Sequence, residues 1–188
     1  MYAVFPLNIV VLPNEEVALH LFEPRYKQLY ADFKNGKEFA IVFSGKNEIA
    51  DFGTLVSIEK VINEFPDESV DLIVKGSKII HVNSFEKNFP GKLYSAVEAE
   101  PIEFENSASK ELLQQFDLFL EKTGKRKSKN TPDVFQLANR MEMSQETKSE
   151  FISQTDNPAL NRFLINQIRF ELKIREQELL LNQKFHLN

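Results

Sequence analysis

The chain has 188 residues, 42% hydrophobic and 27% charged, with a net charge of −5; this is the composition of a soluble globular protein able to bury a core as one large domain or two small ones. It contains no cysteine, which excludes disulfides, thiolate catalysis and cysteine-ligated metals. His20, His81 and His186 lie too far apart for ligand spacing, and neither a secretion signal nor a run of ~20 apolar residues is legible, so a cytoplasmic protein without cofactor, metal or membrane is expected.

Phe5-Pro6-Leu7 reads as extended, because Pro6 fixes its own φ and drives Phe5 toward β geometry. Ile9–Leu12 is short and β-branched and predicts a strand, closed by a turn at Pro13-Asn14. Val17, Leu19 and Leu21 alternate with Ala18, His20 and Phe22, as in a second strand buried on both faces. Pro24 suits the first turn of a helix, and Tyr26, Leu29, Tyr30 and Phe33 form its apolar stripe before Asn35-Gly36. Phe5, Leu7, Leu21, Phe22 and Tyr26 are expected in the core, and Arg25 in a structural pairing with Glu23 or a carbonyl.

Glu38–Phe43 is the next strand, ending at a turn over 44–47. Ile49–Ile62 carries a longer β signal with Gly53 inside it, where glycine marks a bulge or a close backbone approach. After a loop at 63–69, Val70, Leu72 and Val74 alternate with Asp71, Ile73 and Lys75; Gly76 permits a bend before 78–82. A loop at 83–91 leads to a strand at Leu93–Glu100. Six short strands with one helix fit a closed or nearly closed barrel. Composition changes at Pro101–Ser109, and helices follow: one capped by Ser107 or Ser109, one opened by Thr131-Pro132, a short one from Ser144, and a long one capped at Asp156-Asn157-Pro158. Residues 1–104 carry −6 and residues 105–188 carry +1. The expected division is a β-rich part at 1–104 and a helical part at 105–188. Leu179–Leu181 offers either a dimer contact or packing against the helices.

FPLNIVVLP followed by LHLFEPRY and a helix resembles the opening of the Lon protease N-terminal domain, the substrate-binding domain of that ATP-dependent protease. Asn14 stands where a glycine is common in that family. GTLVSIEKVI and LIVKGSKIIHV resemble the family's paired central strands, with Lys78 where arginine is usual. The resemblance implies an α+β fold: an N-terminal PUA-like β pseudo-barrel with one helix, then a C-terminal helical bundle ending in a long helix. It also implies a stand-alone, non-catalytic module that contacts unfolded or flexible polypeptide segments, as an adaptor or holdase linked to a protease or chaperone.

No catalytic pattern is legible beside it. Gly36-Lys37, Gly45-Lys46 and Gly124-Lys125 lack the second glycine and the hydroxyl of a phosphate-cradling loop. Ser77-Lys78 and Ser109-Lys110 are sequence neighbours rather than a nucleophile with its base. Asp67/Glu68 and Glu98/Glu100 read as solvated surface. A polypeptide-binding surface needs apolar side chains on loops or a free strand edge. Phe65 beside Pro66, Phe85 and Phe89 are the candidates, against the plainer expectation that each folds back onto the barrel. The alternative is RNA binding through the basic loop 122–129, using Lys125, Arg126, Lys127 and Lys129. No aromatic is interleaved there to stack a base, so nucleic acid is the disfavoured partner.

Overall fold

A computed structural model describes residues 1–45, 49–103, 105–126 and 131–185, with side chains through residue 180. The elements are β1 (Tyr2–Leu7), β2 (Glu16–Leu21), α1 (Pro24–Phe33), β3 (Phe39–Ser44), β4 (Ile49–Glu64), β5 (Val70–Glu86), β6 (Ser95–Pro101), α2 (Lys110–Thr123), α3 (Val134–Ala138), α4 (Gln145–Ile152) and α5 (Asn157–Phe185), a mixed α+β architecture. They divide into two units, Met1–Glu103 with Asn139–Ser153, and Phe104–Ala138 with Gln154–Asn188.

In the first unit the strand order is β2-β5-β4-β3-β1-β6, and β5 pairs with β6 as well. The pairings therefore run from β5 through β4, β3, β1 and β6 back to β5, leaving β2 outside the ring, paired among the described residues with β5 alone. Successive residues of a strand face opposite ways, and here both faces are covered. Ala3, Phe5, Ile41 and Val56 enter one core with Tyr26, Leu29 and Tyr30 of α1. Val4, Ala40, Val42 and Leu55 enter a second core with Ile80 and Val97. Double coverage explains why β1 and β3 read as continuous apolar runs.

Two strand expectations need correction. Ile9–Leu12 is not a strand; β1 lies earlier and pairs parallel to β3, with Pro6 opposite Val42. Side chains satisfy the main chain of 9–13 instead. The Val10 N–H donates to Gln145 Oε1 (2.6 Å), Thr54 Oγ1 donates to the Val11 carbonyl (2.6 Å), and Asn139 Nδ2 donates to the Pro13 carbonyl (2.9 Å). Val10, Val11 and Leu12 are nevertheless buried. β2 is not covered on both faces: Val17, Leu19 and Leu21 turn inward, while Ala18, His20 and Phe22 are exposed.

β4 and β5 form a long hairpin whose register shifts at 55/56, 58/60 and 61/63. Gly53 is a close approach as expected, since a Cβ there would lie 2.7 Å from the Ile41 carbonyl oxygen. β5 runs through Gly76 without interruption. Gly76 and the 12–15 turn bond to each other, Asn14 N–H to the Gly76 carbonyl and Gly76 N–H to the Glu15 carbonyl, both at 2.9 Å. α4 packs on β4, and its Lys148 reaches Glu15 at 2.5 Å.

In the second unit α2 and α3 each pack on α5. Ser109 caps α2 by accepting from the Leu112 N–H (3.1 Å), and Gly124, with φ of 69°, closes it. Buried Asn161 of α5 accepts from the Ser109 N–H (2.7 Å) and donates to the Ser107 carbonyl. Thr131-Pro132 does not open α3. Asp133 does, because its Oδ1 accepts from the Gln136 N–H (2.8 Å) while Gln136 Oε1 accepts from the Asp133 N–H (3.1 Å). Asp156 caps α5 through the Ala159 N–H (2.7 Å).

Candidate functional site

The antiparallel register of β2 on β5 places His20 opposite Asp71 and Leu21 opposite Val70. β4 pairs Glu64 with the same Val70, so the end of β2 lies beside the strand that emerges from the 65–69 turn. Because Leu21 points inward, His20 and Phe22 share the outward face. His20 Nδ1 is 2.6 Å from Asp71 Oδ1. The His20 ring stacks on Phe22 (5.7 Å between centroids) and meets Phe65 edge-on (6.1 Å). Phe22 is 60% exposed and Phe65 is 41% exposed, with Val61 and Ile62 of β4 also exposed. Three rings thus stand together in solvent beside a strand edge that, among the described residues, has no further partner.

The turn that carries Phe65 is tightly bonded. The Phe65 N–H donates to the Ser69 carbonyl and the Glu68 N–H to the Phe65 carbonyl, both at 2.9 Å. Asp67 Oδ1 accepts from the Ser69 hydroxyl (2.7 Å) and from the Ser69 N–H (3.1 Å), which holds the Asp67 carboxyl below the usual carboxylate range. Between this turn and α1 runs a groove of about 620 Å³ lined by Pro24, Lys27, Tyr30, Glu64, Phe65 and Glu68. Tyr30 donates its hydroxyl to Glu64 Oε1 (2.5 Å), and that bond pushes the phenol pKa up to about 12. Lys27 Nζ donates to the Asp67 carbonyl. These groups position one another, and with its pKa raised to about 12 the Tyr30 hydroxyl keeps its proton.

The four residues singled out from sequence are not brought together. Phe65 and Pro66 sit exposed at the hairpin turn. Phe85 is 37% exposed but lies at the other end of β5, on the strand rather than in a loop, opposite Val97 of β6. Phe89 is half-buried against the first core, its ring 6.0 Å from Tyr94. The ring that Phe65 meets is His20, on which Phe22 also stacks; Phe22 is exposed rather than in the core. The signal was present in the alternation of 17–22, since an inward Leu21 requires an outward Phe22.

Lys125 of the basic loop lies over the Phe119 ring at 5.8 Å. Arg126 is described and also has an interaction within the chain, whereas Lys127 and Lys129 lie outside the described residues. Ser77 donates to Glu38 Oε1 (2.5 Å) and to the Leu55 carbonyl (3.0 Å), and Ser109 is occupied as a helix cap. Among the described residues no group of three His, Asp or Glu is placed to hold a metal, and no helix is long and apolar enough to cross a membrane.

The model of the ATP-dependent protease La (LON) substrate-binding domain matches residues 1–183. No curated protein matches the chain. Among solved structures, the chain is similar to a Lon N-terminal domain protein from Xanthomonas campestris, with a TM-score of 0.67 and 21% identity over 87% of this chain and 96% of that one. It is also similar to the N-terminal domain of Mycobacterium avium complex Lon protease, with a TM-score of 0.65 and 13% identity over 89% of this chain and 97% of that one. At such identities the two structures speak for the fold alone, while the family match extends over nearly the whole chain. The chain belongs to the Lon substrate-binding domain family.

Proposed function

We propose that this protein recognises unfolded or flexible polypeptide segments without catalysing a reaction on them, as an adaptor or holdase in protein quality control. The observation that carries the reading is the exposed Phe22–His20–Phe65 cluster beside the unpaired edge of β2, in a chain of the substrate-binding family. An added strand bonds its main chain to such an edge whatever its sequence, and neighbouring rings accept varied apolar side chains. In this reading Phe65 and Pro66 contact the polypeptide, while Phe85 and Phe89 belong to a different part of the same unit. We also read the ring of pairings through β5, β4, β3, β1 and β6 as the PUA-like pseudo-barrel, and α2, α3 and α5 as the helical bundle.

The test is titration of a fluorescent, permanently unfolded protein with the full chain. Saturable binding in the micromolar range is expected, and Phe22→Ala/Phe65→Ala weakens it at least about tenfold, the loss of two ring contacts at 1–2 kcal/mol or less each. Absence of saturable binding contradicts the reading. Casein incubated with the protein remains intact with and without ATP, and cleavage would contradict the non-catalytic part. Nothing favours the nucleic-acid alternative.

A further inference from the structure

Resting on that reading, we infer that the β2 edge selects for positive charge: its ligands are extended segments in which lysine or arginine adjoins apolar side chains. The hairpin end beside the ring cluster, residues 59–71 (EKVINEFPDESVD), carries five carboxylates and one lysine. Among the described residues Glu59, Glu64 and Glu68 are in no ion pair. The cations around them, Arg25, Lys27, Lys60 and Lys75, are four against seven carboxylates at positions 16, 23, 59, 64, 67, 68 and 71. Arg25 pairs with Glu23 at 2.9 Å, Lys75 lies 4.0 Å from Glu16, and Lys27 bonds the Asp67 carbonyl. A segment laid along β2 therefore meets a field of net negative sign, against which a cationic ligand is favoured and an acidic one repelled.

The rings act in the same direction. The outward faces of Phe22 and Phe65 are open, and an aromatic face attracts an ammonium or guanidinium group held within about 6 Å. A long basic side chain can lay its methylenes on a ring and extend its charged end to Glu64 or Glu68. Side chains of an added strand alternate, so every second residue of the ligand faces the cluster. The preferred ligand is then an extended stretch that mixes basic and apolar residues, with a basic residue among those that face the cluster. The competing occupant is a second copy of this chain paired edge to edge along β2.

Three labelled peptides with one shared apolar core, flanked by Lys, Gln or Glu, are titrated with the full chain at low and at high salt. The expected order is Lys, then Gln, then Glu, with about tenfold between the extremes at low salt, as two or three surface charge contacts allow. The spread narrows as salt rises. Glu59→Gln/Glu64→Gln/Glu68→Gln, in which residue 64 keeps an acceptor for Tyr30, flattens the order while the Gln peptide binds as before. Equal affinity for all three peptides overturns charge selection and leaves polypeptide recognition standing. Failure of every peptide and of the unfolded protein overturns both. A mass in light scattering that doubles without peptide and falls on adding one assigns the edge to a second copy and overturns the inference.

Discussion

At Gly76 the main chain of β5 comes so near the turn at 12–15 that a methyl group has no room. A Cβ there would lie 2.2 Å from the Leu12 carbonyl oxygen and 2.9 Å from its carbon. The obstacle is backbone fixed by two hydrogen bonds, so it cannot swing aside as a side chain would. Gly76→Ala is expected to cost roughly 3 kcal/mol, the upper range for overpacking, measured as a lower midpoint in urea with an unchanged slope. Asp32 supplies a second test. Lys92 Nζ (2.6 Å) and the Tyr94 hydroxyl (2.9 Å) bond its Oδ2, and the Lys92 bond chiefly holds its pKa below the ordinary value. A depressed folded pKa stabilises above the unfolded value and ceases to do so as pH falls through the folded one. The pair is about a third exposed, which limits it: Asp32→Asn is expected to cost on the order of 1 kcal/mol at pH 7, and the difference from the parent should fall away as pH drops from neutrality through the depressed carboxyl pKa. A constant difference across that range would contradict the assignment. Residue roles were legible where periodicity was followed through, as for Leu21, and missed where it was set aside for hydrophobicity, as for Phe22.

Elements with their own punctuation were readable from the sequence. Pro24 and Gly36 bracket α1, Ser109 opens α2, Ser144 opens α4 and Asp156 opens α5, since each signal acts within a few residues. The segment 9–12 was not readable, because remote side chains bond its main chain and that of Pro13 after it: Gln145 at Val10, Thr54 at Val11 and Asn139 at Pro13. The attachment of α4 to β4 escaped notice for the same reason, as a helix carries no mark of the sheet it packs on. Two variants separate local from remote support. Ser109→Ala removes one cap and is expected to cost about 1 kcal/mol, seen as a small fall in Tm. Lys148→Ala leaves the half-buried Glu15 carboxylate with the Leu12 N–H as its remaining partner among the described residues. Its expected cost is larger, roughly 2 kcal/mol, with faster amide exchange at 10–15. Equal effects from the two would argue that the 8–15 segment is held by its own burial rather than by α4.

For the molecule as a whole, most of the strands and the helix among them were legible in the sequence, but not how the strands pair. Ring closure depends on the two halves of β5 serving different neighbours, with residues 70–75 against β2 and residues 80–86 against β6. That arrangement leaves β2 as the strand with an open edge, next to the three rings. The central claim is that polypeptide binds there, and amide hydrogen exchange tests it most directly. With saturating unfolded polypeptide, protection is expected to rise in residues 16–22 and in the 63–69 turn, while α2 and the first half of α5 exchange as before. Protection that leaves β2 unchanged, or that appears on α2 or α5 instead, would contradict the account.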